Sequence, residues 1–121
     1  MKFKRPQGAR WGVKALAESE ELHLVMYDEI GGDFWGEGIT SRDVVAALAG
    51  APDAKTIRVS INSPGGDAFE GIAIHTALAK HPAKVIVEVD ALAASAASVI
   101  AMAGDEVHMA AGAMMMMRVR R

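Results

Sequence analysis

Between Thr56 and Asp90 the chain spells out a strand, a glycine turn, a helix and a second strand. Thr56-Ile57-Arg58-Val59-Ser60-Ile61 alternates, with Ile57, Val59 and Ile61 on one face, as a strand over a core requires. Asn62-Ser63-Pro64-Gly65-Gly66-Asp67 reads as the turn that follows it. From about Asp67 to Lys80, Phe69, Ile72, Ala73, Ile74, Ala77 and Leu78 repeat at helical spacing and predict a broad buried face. His81-Pro82 ends that helix, because a residue before proline is pushed out of the helical region. Lys84-Val85-Ile86-Val87-Glu88-Val89-Asp90 is β-branched and reads as the next strand. A strand joined to a strand through a helix is a parallel crossover, so this unit commits the chain to an α/β fold.

The flanks extend the same alternation. Glu21 to Ile30 is apolar enough for a strand buried on both faces, closed by Gly31-Gly32-Asp33. Thr40 or Ser41 caps a helix with Asp43 in its first turn and Val44, Val45 and Leu48 as its apolar stripe. Gly50 and Pro52 stop it. Ala91 to Ala103 reads as a third helix closed by Gly104, Glu106 to Met109 as a short strand, and Met114 to Val119 as a last one. Phe34 and Trp35, in the loop before Gly38, are candidates to pack over an edge or against a partner. The glycines of that loop lack the spacing of a dinucleotide fingerprint. Residues 1–12 read as a flexible basic arm, with Trp11 at its end, and residues 13–121 as a single domain.

Composition excludes several functions. A net charge of −2 gives no general attraction to nucleic acid or an anionic membrane, and no apolar run is long enough to span a bilayer. Without cysteine there are no disulfides and no thiolate metal site. No metal and no cofactor are expected, and a cytoplasmic location fits.

Ligands of parallel α/β folds bind at the carboxyl ends of strands. Two loops of interest, Asn62–Asp67 and Asp90–Ser95, lie there and can face one crevice. Gly65 and Gly66 can adopt positive φ and leave their N–H groups open to an anion or a developing oxyanion. Ser95 begins the next helix, and the N–H of Ala96 after it is a further donor. These residues suit acyl transfer, which needs a nucleophile and donors aimed at the oxyanion. Each also has a plainer role. A Pro-Gly-Gly segment is often only a turn, and a serine opening a helix is often a cap. Ser63 is expected to shape the turn, and Ser98 to pack or bond back to its own helix.

Ile61-Asn62-Ser63-Pro64-Gly65-Gly66-Asp67-Ala68-Phe69-Glu70-Gly71, followed by Ala93-Ala94-Ser95-Ala96-Ala97-Ser98, resembles the proteolytic subunit of the Clp protease (ClpP). It is most similar to the ClpP-like head-maturation proteases of phages and prophages. The resemblance implies the repeated β-β-α spiral fold shared with crotonases, a mostly parallel sheet with crossover helices. It implies a serine endopeptidase with Ser95 as nucleophile and oxyanion donors at Gly65 and Ala96, with Gly66 and Asp67 beside the peptide substrate. It also implies a homo-oligomer, a seven-membered ring, with an ATPase unfoldase or phage capsid proteins as partners. The family's catalytic His follows a strand like Ala113-Met114-Met115-Met116-Met117, and the residue there is Arg118, which stays protonated and cannot serve as a base. The family's Asp and handle helix lie further on than Arg121. The expectation is therefore an incomplete chain, weak or inactive in cleavage. Of the other histidines, His75 is expected to be packed or solvated, nothing brings His23 or His81 to the crevice, and His108 is a remote substitute base. The alternatives are a crotonase-type acyl-CoA hydratase or isomerase, which uses a similar backbone oxyanion hole without a serine, and a non-catalytic ring or scaffold subunit.

Overall fold

A computed structural model describes residues 13–18, 20–31 and 38–117. The arm at residues 1–12, Phe34, Trp35 and the segment from Arg118 onward lie outside the described residues. In chain order the elements are β1 (Val13–Glu18), β2 (Glu21–Met26), α1 (Ser41–Ala49), β3 (Thr56–Ser63), α2 (Ala68–Lys80), β4 (Lys84–Ala94), α3 (Ala96–Ala101), β5 (Glu106–Met109) and β6 (Met114–Met116). The strands form one sheet in the order β1-β2-β3-β4-β5, with β6 also on β4. Only β1 runs antiparallel, against β2; the other described pairings are parallel. The parallel α/β architecture expected from the sequence is therefore present, with β1 as an added edge that the sequence reading did not assign.

The core lies between the sheet and its helices. Leu22, Leu24 and Met26 of β2, Ile57, Val59 and Ile61 of β3, and Val85, Val87 and Val89 of β4 pack with Val44, Leu48, Ile74, Leu78 and Ile100 of the helices. Fully burying one such side chain contributes about 1.5–3 kcal/mol, so this layer holds the site-bearing ends in place. In β2 the neighbours of these residues are less covered: Glu21 and His23 are half-buried, while Val25 is buried, so burial on both faces is only partial. Arg58 spans three adjacent strands through Glu21 (2.7 Å) and Glu88 (2.9 Å), and His23 Nε2 lies 2.7 Å from Ser60 Oγ.

The helix ends follow local chemistry. Thr40 caps α1 by accepting from the Asp43 N–H, and Ser41 donates from Oγ to Glu70 at 2.6 Å, tying α1 to the first turn of α2. Asp67 caps α2, its Oδ1 accepting from the N–H groups of Phe69 (2.8 Å) and Glu70 (3.0 Å). That arrangement satisfies two of the donors a helix start leaves unpaired.

Four expectations need correcting. Phe69 is 84% exposed and Ile72 52% exposed, so α2 buries a narrower stripe than its composition suggests, on Gly71, Ile74 and Leu78. Val45 of α1 faces outward for the same reason, since Val44 and Leu48 already fill the seam. The strand expected over Glu21 to Ile30, β2, ends at Met26, with Ile30 returning only as an isolated bridge. Most consequentially, Ala91–Ala94 is strand rather than helix. β4 continues to Ala94 and α3 spans only Ala96–Ala101. High alanine content favours a helix locally. Pairing of Leu92, Ala93 and Ala94 with Met114, Met115 and Met116 overrides it.

Candidate active site

The end of β4 is bent where it reaches the site. Ile61 pairs with Val89, but Ser63 pairs with Ala93, so β4 carries extra residues opposite Asn62. Such an irregularity bends a strand and re-aims its side chains. Below it β4 pairs with β5 through Ile86–Val89; above it the strand turns onto β6. Tyr27, just after β2, donates to the Asp90 carboxylate at the bend. Partial burial, then this hydrogen bond, then the negative charges of Asp90 and Glu88, push the Tyr27 phenol up to about 12.

At the tip of β4 stands Ser95, with φ 52° and ψ −119°, among the described residues the one non-glycine with positive φ. Backbone of that kind costs a residue with a Cβ on the order of 1–3 kcal/mol and persists only where the surroundings fix it. Here they do. The Ser95 N–H donates to Met116 O at 2.8 Å, and the Ser95 carbonyl accepts from Ser98 N (2.9 Å), Val99 N (3.3 Å) and Ser98 Oγ (2.5 Å). The backbone is bound on both sides while the side chain is exposed and makes no capping hydrogen bond. Ser98, fully buried, bonds back to its own helix as its position suggests. The strained strand-to-helix turn that presents a serine this way is the geometry of a nucleophile elbow.

The glycine turn meets it. Gly65 has φ 98° and Gly66 φ 147°. A Cβ on Gly65 would lie 2.5 Å from Ala94 O and 2.9 Å from Ser95 Cβ, so the two loops touch. The turn is pinned from β2, as the Ile30 N–H donates to Gly65 O (2.9 Å) and the Asp67 N–H to Ile30 O (2.8 Å). Neither Ile30 nor Met116 stands out in the sequence, because both act through backbone. Ser63, fully buried, accepts from the Gly65 N–H at 3.1 Å and shapes the turn as expected. The Gly66 N–H has no acceptor among the described residues, and the Ala96 N–H, opening α3, has no intrahelical one. Asp67 Oδ1 is engaged in the cap of α2.

Ser95 and Ala96 border a cavity of about 210 Å3 walled by Ala68, Ile72, Val99 and Met117. A larger cavity of about 690 Å3 lies between α1 and α2, bounded by Val45, Leu48, Ala73 and His81, and borders neither Ser95 nor the glycine turn. The histidines are occupied elsewhere. His75 Nδ1 meets Val99 O at 2.8 Å, His81 bonds Ala51 O and the Ala83 N–H, and exposed His108 pairs with Glu106 at 2.9 Å. Among the described residues no imidazole is hydrogen-bonded to Ser95.

Comparison with solved structures finds the same architecture in two groups. A ClpP1 mutant from Listeria monocytogenes is 26% identical with a TM-score of 0.58, over 68% of this chain and 46% of that one. ClpP1 from the same organism is 24% identical with a TM-score of 0.59, over 74% and 58%. An enoyl-CoA hydratase from Polaromonas sp. JS666 is 19% identical with a TM-score of 0.68, over 86% and 50%. The chain thus spans about half the length of the solved structures it matches. Comparison with curated proteins finds no match. The Clp protease family model matches residues 20–119, across both loops of the crevice and the strands that carry them, and the chain belongs to the Clp protease family.

Proposed function

We propose that this chain is a ClpP-like serine endopeptidase subunit in which Ser95 forms the acyl-enzyme. The observation that carries the reading is the Ser95 turn: a strained backbone held by four hydrogen bonds and an uncommitted hydroxyl beside a glycine turn. A structural serine at that position would use its side chain as a cap. The oxyanion would be received by the Ala96 N–H and by the glycine turn. Gly66 offers an unengaged N–H, and Gly65 offers one on giving up Ser63. Each such donor supplies about 3–4 kcal/mol of transition-state stabilisation. The apolar walls of Ile72, Val99 and Met117 suit an apolar substrate side chain. Gly66 and Asp67 would flank the peptide.

The hydroxyl has no base among the described residues, and removing the histidine of a serine protease costs on the order of 10^6-fold in turnover. We therefore expect this chain alone to acylate slowly. Incubation with an activated peptide ester followed by intact-mass spectrometry tests this. The expected result is one acyl adduct in the wild type and none in Ser95→Ala. Adduct formation unchanged in Ser95→Ala contradicts the nucleophile.

A second reading rests on the fold overlap with enoyl-CoA hydratases and on the free Gly66 and Ala96 N–H groups, which can polarise a thioester carbonyl without a serine. Thermal stabilisation by an acyl-CoA, retained in Ser95→Ala, would favour it. A homo-oligomeric ring engaging an unfoldase or capsid protein fits the family. A stable ring with no acylation would favour the scaffold reading.

A further inference from the structure

We propose that His75 is a positioning residue for the Ser95 turn, acting from α2 through the Val99 carbonyl; the proposal rests on the acyl-transfer reading of Ser95. α2 touches α3 at two levels one helical turn apart. At the first, Gly71 admits Ala96: a Cβ on Gly71 would lie 3.0 Å from Ala96 Cβ and 3.1 Å from Ala96 O. At the second, His75 Nδ1 lies 2.8 Å from Val99 O. That carbonyl belongs to the last turn of a six-residue helix, where carbonyls lose their intrahelical donors. The Ala103 N–H, which would reach it in a longer helix, goes to Ile100 O instead (3.0 Å). Among the described residues the His75 ring is thus the donor that Val99 O has. A carbonyl only accepts, so Nδ1 carries the proton.

The connection to the nucleophile is short. The Val99 N–H, on the same residue, donates to Ser95 O at 3.3 Å, alongside the Ser98 N–H and Oγ. Those bonds hold ψ of Ser95 at −119°. Six residues of helix hold their own axis poorly, because nucleation is unfavourable and each end leaves its groups unpaired. α3 therefore depends on α2 for its orientation. Gly71 sets how near it stands, and His75 sets how it is rotated and how far its last turn reaches.

Three variants and two readouts test this. An asparagine amide can place its N–H2 near the Nδ1 position, whereas glutamine reaches further, so His75→Asn should preserve the contact and His75→Ala and His75→Gln should lose it. In wild-type protein, 15N NMR should find the neutral His75 ring protonated at Nδ1; a ring protonated at Nε2 overturns the proposal. Amide exchange of Ser98 and Val99 should quicken about tenfold in His75→Ala, the effect of one lost hydrogen bond, with Val59 and Val87 unchanged and protection restored in His75→Asn. Uniform acceleration, or none, overturns it. Labelling of Ser95 by a fluorophosphonate should slow roughly tenfold in His75→Ala and recover in His75→Asn. Equal labelling rates in wild type and His75→Ala overturn the positioning role while leaving Ser95 as nucleophile. If Ser95 stays unlabelled in every variant while the ring and exchange results hold, the acyl-transfer reading falls instead.

Discussion

Two turns meet at this crevice and solve the same backbone problem in opposite ways. The Gly65–Gly66 turn reaches positive φ with residues that lack a Cβ. The Ser95 turn reaches it with a side chain in place, against the preference of any L-residue. Both are tethered from the end of β2, the first by the Ile30 backbone and the second, at its approach, by Tyr27 on Asp90. One turn does without side chains, and its Gly66 N–H stands open while that of Gly65 is held by Ser63. The other keeps a hydroxyl that its own fold does not use. Conformational strain retained where glycine would relieve it is what the proposed acyl-transfer role of Ser95 accounts for.

The comparison breaks first at Gly66. A Cβ there would stand 2.1 Å from Ile30 O, a distance no small shift relieves. Gly66→Ala should lose about 3 kcal/mol or more in urea unfolding, close to the largest single-residue effects. Gly112 has φ 82° but nothing within 4 Å of its Cβ, and Gly112→Ala should cost only about 1 kcal/mol. If the two variants were equally destabilised, backbone angle rather than the Ile30 contact would explain the glycine turn. Next in size is Ser63→Ala, which leaves the buried Gly65 N–H without its acceptor and should cost about 1–2 kcal/mol.

Ser95→Gly runs the other way. It relieves the strained backbone but loosens the unfolded chain, for a net gain of about 1 kcal/mol in the same unfolding assay. A loss of stability there would mean that Ser95 is structural and the contrast between the turns is false. The smallest effect is at the tether. The sequence contains one tyrosine, so absorbance titration reads Tyr27 alone. Its midpoint should lie near 12 and fall only part of the way back in Asp90→Asn, because burial, the largest cause of the shift, and Glu88 remain. Because the folded value lies above the unfolded one, the tether's contribution is complete below about pH 10 and is lost as pH rises toward 12. A wild-type midpoint near 10 would remove the tether.

Much of this was legible beforehand, for physical reasons that differ by segment. The alternation of Ile57, Val59 and Ile61 and the β-branched run from Val85 to Val89 point one way in every reading, because burial and local preference agree there. Asp67 and His81-Pro82 bound α2 by local chemistry alone. Ala91–Ala94 misled because four residues of helical preference yield to a ladder with β6, and that pairing is non-local. Phe69 and Ile72 misled because helical spacing counts apolar residues without knowing how wide the facing seam is. At the site, Gly65, Gly66, Ser95 and Ala96 were visible as residue types. What arranges them was not: the Ile30 and Met116 carbonyls, the irregular register after Ile61 and the His75 contact arise from chain segments that meet only in the fold.

The most direct measurement of the central claim is site mapping of a fluorophosphonate adduct. Protein incubated with the probe, digested and sequenced by mass spectrometry should carry the phosphonate on Ser95, slowly formed and absent from Ser60, Ser63 and Ser98, which are buried or bonded. An adduct confined to another serine, or a Ser95 left unmodified after prolonged exposure, would contradict the reading of this turn as the seat of acyl transfer.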